Sequence, residues 1–335
     1  MNNSIHELCI LVGRRASLFV VLLSIVLWTT HSNAQETKSA GQNEVFTLVL
    51  LPDTQFYSEK YPETFVAQTM WIRERAKQDN IKFVVCLGDI VQNAHVEQEW
   101  IRAHEAARIL DGVVPYSAVP GNHDLVIKDK LITRDSTLYN KYFGVQRFTK
   151  EPWYGGHMDA TNDNNYCTFQ AAGRDFLVLS LEFAPRDEAL AWAAEICRKH
   201  PAHNVILATH SYLNLQGRTT GQAKVTGSSA NSGEEMWKQL VSKQPNIFMV
   251  ACGHVGGVNL LRSVNDAGGS VIEILTDYQN LEQGGQGWLR TMRFVPDENK
   301  IYVDAYSPLL KQHNSDPKHT HTIDIDFSKL RAARS

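Results

Sequence analysis

Long apolar runs, blocks of one charge, internal repeats and cysteines are all scarce in this chain of 335 residues. Each scarcity removes a class of protein. The longest apolar run, ASLFVVLLSIVLW, has 13 residues, short of the ~20 that a membrane-crossing helix requires. It follows Arg14 and Arg15 and precedes TTHSNA, with small residues at Ser32 and Ala34. That order reads as a bacterial-type export signal over residues 1–34, cleaved before Gln35, so a secreted or periplasmic protein with no stable membrane span is expected. The 33 basic and 36 acidic residues are interspersed, which leaves no broad basic face for nucleic acid or anionic lipid. Of the five cysteines, Cys9 precedes the apolar run and is not placed for a lipid anchor. Cys86 and Cys252 sit in strand-like runs as buried thiols; Cys167 and Cys197 could pair in an oxidising compartment, and sequence leaves that open.

What is present is a hydrophobic fraction of 43%, enough to bury a sizeable core. After a polar linker at 35–45, strand-like runs alternate with helical ones from Phe46 to about residue 327, as expected of one α/β domain. The strand candidates are FTLVLLP, IKFVVCL, PYSAV, FLVLSLEF, NVILAT, IFMVAC and SVIEIL. The helix candidates are PETFVAQTMWIRERAKQ, VEQEWIRAHEAARIL, RDEALAWAAEICRKH and GEEMWKQLVSKQ. Trp71, Trp100, Trp192 and Trp237 fall on amphipathic helix patterns and read as packing residues. Between Leu125 and Tyr166 the pattern breaks into an aromatic and glycine-rich stretch, either a functional loop or a packed surface insertion.

Polar chemistry gathers where apolar runs stop. FTLVLLP runs into Asp53, Thr54 and Gln55; FVVCL into Gly88 and Asp89; YSAVP into Gly121, Asn122, His123 and Asp124; VILAT into His210; FMVAC into Gly253 and His254. Taken singly, Gly-Asp and Asn-His are ordinary turn pairs. In an α/β sheet, however, the carboxyl ends of parallel strands share one edge, so the whole set would place aspartates, an amide oxygen and histidines in one crevice. Mixed oxygen and imidazole donors point to a metal ion, with manganese, iron, zinc or cobalt suited and the choice among them open.

The motifs DTQ, GDIVQN, GNHD, TH and GHVG, in this order, resemble the calcineurin-like metallophosphoesterase superfamily. The resemblance implies a four-layer αββα sandwich of two mixed β-sheets flanked by helices. It also implies two divalent metal ions and hydrolysis of a small phosphomonoester or phosphodiester by metal-activated water. Carried over by position, it makes Asp89 the carboxylate between the two ions. Asn122, His210 and His254 complete one site, and Asp53 belongs to the other. His123 would face the substrate as a general acid or charge stabiliser, with Asp124 orienting its ring.

Two positions depart from the superfamily's pattern: its first motif ends in histidine where Gln55 stands, and its last motif has histidine where Gly256 stands. Both losses fall on the ion bound by Asp53, leaving Asp53, Asp89 and a neutral oxygen of Gln55. That ion is then either weakly held or given a replacement ligand, for which Asp277 or Gln279 of TDYQN are the candidates. The preferred reading of TDYQN is plainer, a turn shaped by Asp277 and Asn280.

Asn93, Tyr212 and Gln279 are candidate substrate contacts, while His95 and Glu182 read as solvated or structural. A metal-binding protein on the same scaffold without catalysis is the alternative function. His123 and Asp124 argue against it, since neither is needed merely to hold a metal.

Overall fold

The computed structural model describes residue 41 and residues 43–221, 223–227 and 229–333. The expected leader at 1–34 lies outside the described residues.

Two seven-stranded sheets form the frame. In the first, Phe46–Leu51 pairs in parallel with Ile81–Cys86, which pairs in parallel with Tyr116–Ala118. Leu289–Val295 and Lys300–Ser307 continue that sheet antiparallel on the other side. In the second, Arg174–Leu181, Asn204–Thr209, Ile247–Cys252 and Ser270–Asp277 run parallel in this spatial order. Antiparallel strands Asn165–Ala171 and Gly257–Val264 flank them. The sheets are mixed because local hairpins add the outer strands, whereas the parallel centre needs helical crossovers.

Parallel strands covered on both faces need apolar side chains on both, which is why FTLVLL and NVILAT lack polar alternation. Phe46, Leu48 and Leu50 face the second sheet's Val178, Ile206 and Met249, among others. Phe46 stacks on Phe294 of its own sheet at 4.6 Å and meets Phe176 of the other at 5.4 Å. Val49, Val84 and Leu51 point the other way, onto Phe65, Ile72 and Trp100 from helices Pro62–Arg75 and Glu97–Ala107. Leu179, Leu207 and Val250 point onto Leu190, Ile196 and Met236 from helices Asp187–Lys199 and Gly233–Gln239. Helix, sheet, sheet and helix thus make the expected four layers. Past residue 327, the Arg331 amide donates to Asn204 Oδ1 and the Ala333 amide to the Gly173 carbonyl.

The stretch 125–166 is a packed insertion. Helices Thr137–Phe143 and Val145–Phe148 bury Tyr139 and Phe143 against Trp100 and Phe148 against Tyr116, and the Tyr139 hydroxyl donates to the Ala118 carbonyl. All four described cysteines are buried free thiols, so Cys167 and Cys197 do not pair.

One polar cluster braces the segment behind His210. The guanidinium of Arg218 forks onto the fully buried Glu273, with Nε at 2.6 Å from Oε2 and Nη2 at 2.8 Å from Oε1. The hydroxyls of Tyr212 and Ser263 donate to the same carboxylate, and Trp237 covers the guanidinium at 3.8 Å. Removing one partner of such a pair strands a buried charge. Arg218→Ala is therefore expected to cost about 3–5 kcal/mol. The double variant Arg218→Met with Glu273→Leu should recover most of that loss. Urea unfolding of the three proteins checks both values, and equal midpoints for wild type and Arg218→Ala would remove the brace.

Candidate metal centre

The strands deliver their polar ends to one place because their register is parallel: Leu51 lies beside Cys86, and Leu181 beside Thr209. Just past the strand ends the chain turns sharply. Asp53, Asp89 and His254 take left-handed backbone angles, with φ of 33°, 47° and 76°, a conformation that non-glycine residues hold only where the surroundings enforce it. Glycines bring the turns close together. A Cβ on Gly121 would stand 2.2 Å from Asp89 Oδ1, and one on Gly253 2.2 Å from Asp53 Oδ2. A Cβ on Gly88 would stand 2.7 Å from the His210 ring.

His210 sits at the middle, fully buried. Its Nδ1 lies 2.8 Å from the Leu87 carbonyl, which can only accept, so Nδ1 carries the hydrogen. The other ring nitrogen, Nε2, is 3.2 Å from each of Asp89 Oδ1, Asn122 Oδ1 and His254 Nδ1. Ligand atoms of a four-coordinate ion bonded at ~2.0–2.1 Å stand roughly 3.3 Å apart, so these separations fit a cation among them. Ligand atoms of Asp89, His210 and His254 lie within 4.8 Å of one another. The Phe183 ring covers both imidazoles, with centroids 5.9 Å and 5.5 Å away.

On the other side of Asp89 the residues carry oxygen. Asp53 Oδ1 accepts from the His254 amide at 3.0 Å, while its buried Oδ2 has no hydrogen-bond partner among the described residues. Gln55 Nε2 donates to Asp89 Oδ2 at 3.2 Å and to Gln279 Oε1 at 2.6 Å, and its own Oε1 is buried and unpartnered. Orphaned buried oxygens of this kind need a donor or a cation. The residues present therefore fit divalent metal.

The ionisation states respond to this crowding. Burial, and after it the Asp277 carboxylate, pushes Asp53 well above the usual carboxylate range. Burial alone would raise Asp89, but the His210 ring beside it holds it low. Burial opposes charge on His210, and Asp89 overrides that, carrying the ring up to about 10. Burial, with His210 adding repulsion, brings His254 down to about 4. Asp277 is raised by burial.

Asp53, Gln55, Asp89, Asn122, His210, His254 and Gln279 are thus brought together, with partly exposed His123 beside them. Three other residues sit differently from expectation. Asp124 does not orient the His123 ring: its carboxylate accepts from the amides of Gly121 at 2.7 Å, Ile90 at 2.9 Å and Val91 at 3.0 Å. It clasps one ligand loop to the next, and burial, then Asp89, push it up to about 7 against those amides. The ring is oriented by the Gln92 carbonyl, 2.9 Å from Nδ1. Tyr212 is fully buried with its hydroxyl on Glu273, away from any substrate. The Asn93 side chain donates to Glu99 at 2.8 Å, which ties it to a helix. His95 is exposed and Glu182 pairs with Arg186, as expected.

Sequence reasoning undervalued Asp277. It is buried at the end of Ser270–Asp277, parallel to the strand ending before Gly253, and the apolar run SVIEIL was the signal that it would reach this edge.

Residues 46–257 match the family described as calcineurin-like phosphoesterase. Uncharacterized protein YvnB of Bacillus subtilis (strain 168) is 34% identical over 292 residues, covering 85% of this chain and 22% of that protein. The chain therefore spans about a fifth of the length of this curated relative. Among solved structures, a purple acid phosphatase, PPD1 from yellow lupin (Lupinus luteus) seeds, superposes with a TM-score of 0.52 at 11% identity. That likeness covers 88% of this chain and 56% of the plant protein, and it shows a shared fold. With its strand-end ligands and four layers in place, the chain belongs to the calcineurin-like phosphoesterase family, whose chemistry is the metal-dependent hydrolysis of phosphoric esters.

Proposed function

We propose that this chain hydrolyses a small phosphate ester at a centre of two divalent cations. The observation that carries the reading is the convergence on His210 Nε2 of Asp89, Asn122 and His254, each at 3.2 Å, beside an outward-facing His123. Asp89 is placed to serve both positions, since Oδ1 faces the imidazoles and Oδ2 faces Gln55. When bound, divalent cations supply the charge that acidifies water and neutralises phosphoryl oxygens.

The chain's own groups do the rest. The Leu87 carbonyl fixes the tautomer of His210 and so aims a lone pair into the site. The Gln92 carbonyl takes the Nδ1 hydrogen of His123, leaving Nε2 as the nitrogen that, when protonated, gives its proton to the departing oxygen. Asp124 holds the two loops that carry Asp89 and His123 in register. Beside His254 opens a cavity of about 300 Å³, edged by Phe183, Ser211, Asn214 and Thr220, with room for the ester's alcohol portion. Export is part of the proposal, and its pattern at Arg14, Arg15 and Ala34 lies outside the described residues.

Asp89→Ala and His254→Ala should each lower bound metal and abolish hydrolysis. Elemental analysis of the folded variants checks this, and unchanged metal in both overturns the site. His123→Asn should keep its metal while kcat drops roughly 10²–10⁴-fold, the usual contribution of a positioned acid; hydrolysis of a generic phosphodiester and a generic monoester, measured side by side, reads that loss.

Stability of the EDTA-treated protein should depend on pH with a definite sign. Folded His210 titrates at about 10 against 6.5 for a free ring, and folded Asp124 at about 7 against 3.8. Both folded values are raised: Asp124 holds its extra proton between pH 3.8 and about 7 and His210 between 6.5 and about 10, so between pH 7 and 9 it is the His210 proton that the folded state keeps and the unfolded state has released. Stability then falls as pH rises. His254, lowered to about 4, contributes its opposite slope only below 6.5. Melting temperatures should decline across pH 7–9 without metal and level off with it, because a cation displaces the His210 proton; a rise without metal contradicts this account. Mass spectrometry of exported protein should find its first residue at or near Gln35, whereas an intact Met1 indicates an anchor.

A further inference from the structure

The two cation positions have different donors, and the difference starts in the chain's order. Ser270–Asp277 runs parallel to Ile247–Cys252 and carries Asp277 to the ligand edge, directly beside Gly257 in the antiparallel pairing on its other side. Asp277 is as buried there as Asp53 and Asp89, each 1% exposed. The turn that follows is built on it: the Gln279 amide donates to Oδ1 at 2.8 Å and its side-chain Nε2 to Oδ2 at 2.7 Å. Gln279 Nε2 also reaches the His254 carbonyl at 3.2 Å, which leaves Oε1 turned toward Gln55. TDYQN does form a turn anchored on Asp277, and that turn also brings Gln279 Oε1 to Gln55.

It also fills the space of the missing imidazole. A Cβ on Gly256 would stand 2.0 Å from Asn280 Nδ2, so the turn occupies the volume where a side chain at 256 would begin. Gly256 does not have a left-handed backbone angle, so a larger residue there would have to displace the exposed Asn280 side chain rather than strain the backbone.

Around Asp53 lie Asp89 and, near enough for its charge to raise Asp53, Asp277, while Gln279 links Asp277 to Gln55 and Gln55 links on to Asp89. Two members point to a ligand independently of the acidic cluster: Asp53 Oδ2 and Gln55 Oε1 are buried and have no partner among the described residues. Gln55 Nε2 sits between Asp89 Oδ2 and Gln279 Oε1, where positive charge is wanted. A half-turn of that amide exchanges its nitrogen for Oε1 and adds an oxygen to the ring of donors.

Resting on the two-cation reading above, we propose that the centre is chemically asymmetric. The His210, His254, Asn122 and Asp89 position takes a borderline transition metal such as zinc. The Asp53, Asp89, Asp277, Gln55 and Gln279 position is an oxygen-only site for a hard cation, magnesium, calcium or manganese. Carboxylate and carbonyl oxygens select hard ions, whereas imidazole favours zinc and iron.

Equilibrium dialysis of the EDTA-stripped full chain, followed by elemental analysis, tests this. Wild type should hold one tight equivalent of zinc and, with zinc in place, bind one further equivalent of magnesium, calcium or manganese. Asp277→Asn should keep the zinc equivalent, which also reports an intact fold, and weaken the second cation by more than about tenfold. Two zinc equivalents of equal affinity in wild type overturn the asymmetry, as does hard-cation binding unchanged in Asp277→Asn. As a second arm, Gln55→His with Gly256→His and Asn280→Gly should convert the second equivalent to zinc, and continued preference for the hard cation also counts against the proposal. Hydrolysis of the two generic esters is followed in the same samples. No turnover in protein that carries both cations defeats the phosphoesterase reading and leaves the cation classes standing.

Discussion

Carboxylates taken out of water must find positive charge or hydrogen-bond donors, and this molecule buries Asp53, Asp89, Asp124 and Asp277 at or past the carboxyl ends of strands from both sheets. Each is compensated differently, and the differences define the site. Asp124 is met by three backbone amides and becomes a clasp. Asp89 is met by His210, the His123 amide and Gln55, on both of its oxygens. Asp53 is met on one oxygen only, and Asp277 by a single glutamine. An uncompensated buried charge costs several kcal/mol, so the shortfall at Asp53 and Asp277 marks where a cation has the most to stabilise.

Holding such groups together requires a frame that does not relax. The two sheets supply it, because each is covered on both faces and close-packed interiors do not deform continuously. Strain then concentrates in the turns just beyond the strands, at Asp53, Asp89 and His254. Glycines at 88, 121 and 253 permit turns from different strands to approach within a side chain's reach of one another. The Arg218–Glu273 pair works at longer range, fixing the segment that leaves His210 against the strand that ends in Asp277. One buried ion pair thus braces both ligand sets from behind.

The layers and most of the residues gathered at the candidate centre were legible in the sequence because both depend on local pattern. An apolar run that stops on a ligand-type residue can only present it at a strand end, and the parallel centre puts those ends on one edge. What escaped depends on partners far away in the chain. Tyr212 follows the ligand His210, but Glu273 claims its hydroxyl from 61 positions further on. Asp124 sits next to His123, yet its carboxylate turns back to the loop at Gly88–Val91, while the ring finds the Gln92 carbonyl. Gln55 was legible as a site residue, whereas its link through Gln279 spans 224 positions. The late strands Leu289–Val295 and Lys300–Ser307 were also missed: the first mixes arginines into a largely buried run, and the second alternates in burial, but tyrosines on its outer face blur that alternation in the sequence.

Gly256 shows why a single motif position cannot be read alone. Its lack of a side chain suggests a hole beside Asp53, and a hole suggests a weak site that one histidine would repair. The structure replaces the hole with Asn280, which belongs to the turn anchored on Asp277. The turn that fills the space beside Gly256 is the turn anchored on Asp277, so the absent imidazole and the carboxylate proposed in its place belong to one local arrangement. An imidazole is neutral as a ligand and a carboxylate is not, so the exchange alters the charge and hardness of the site together. Restoring the histidine alone would first have to push the exposed Asn280 side chain aside, in the same turn that orients Gln279 toward Gln55.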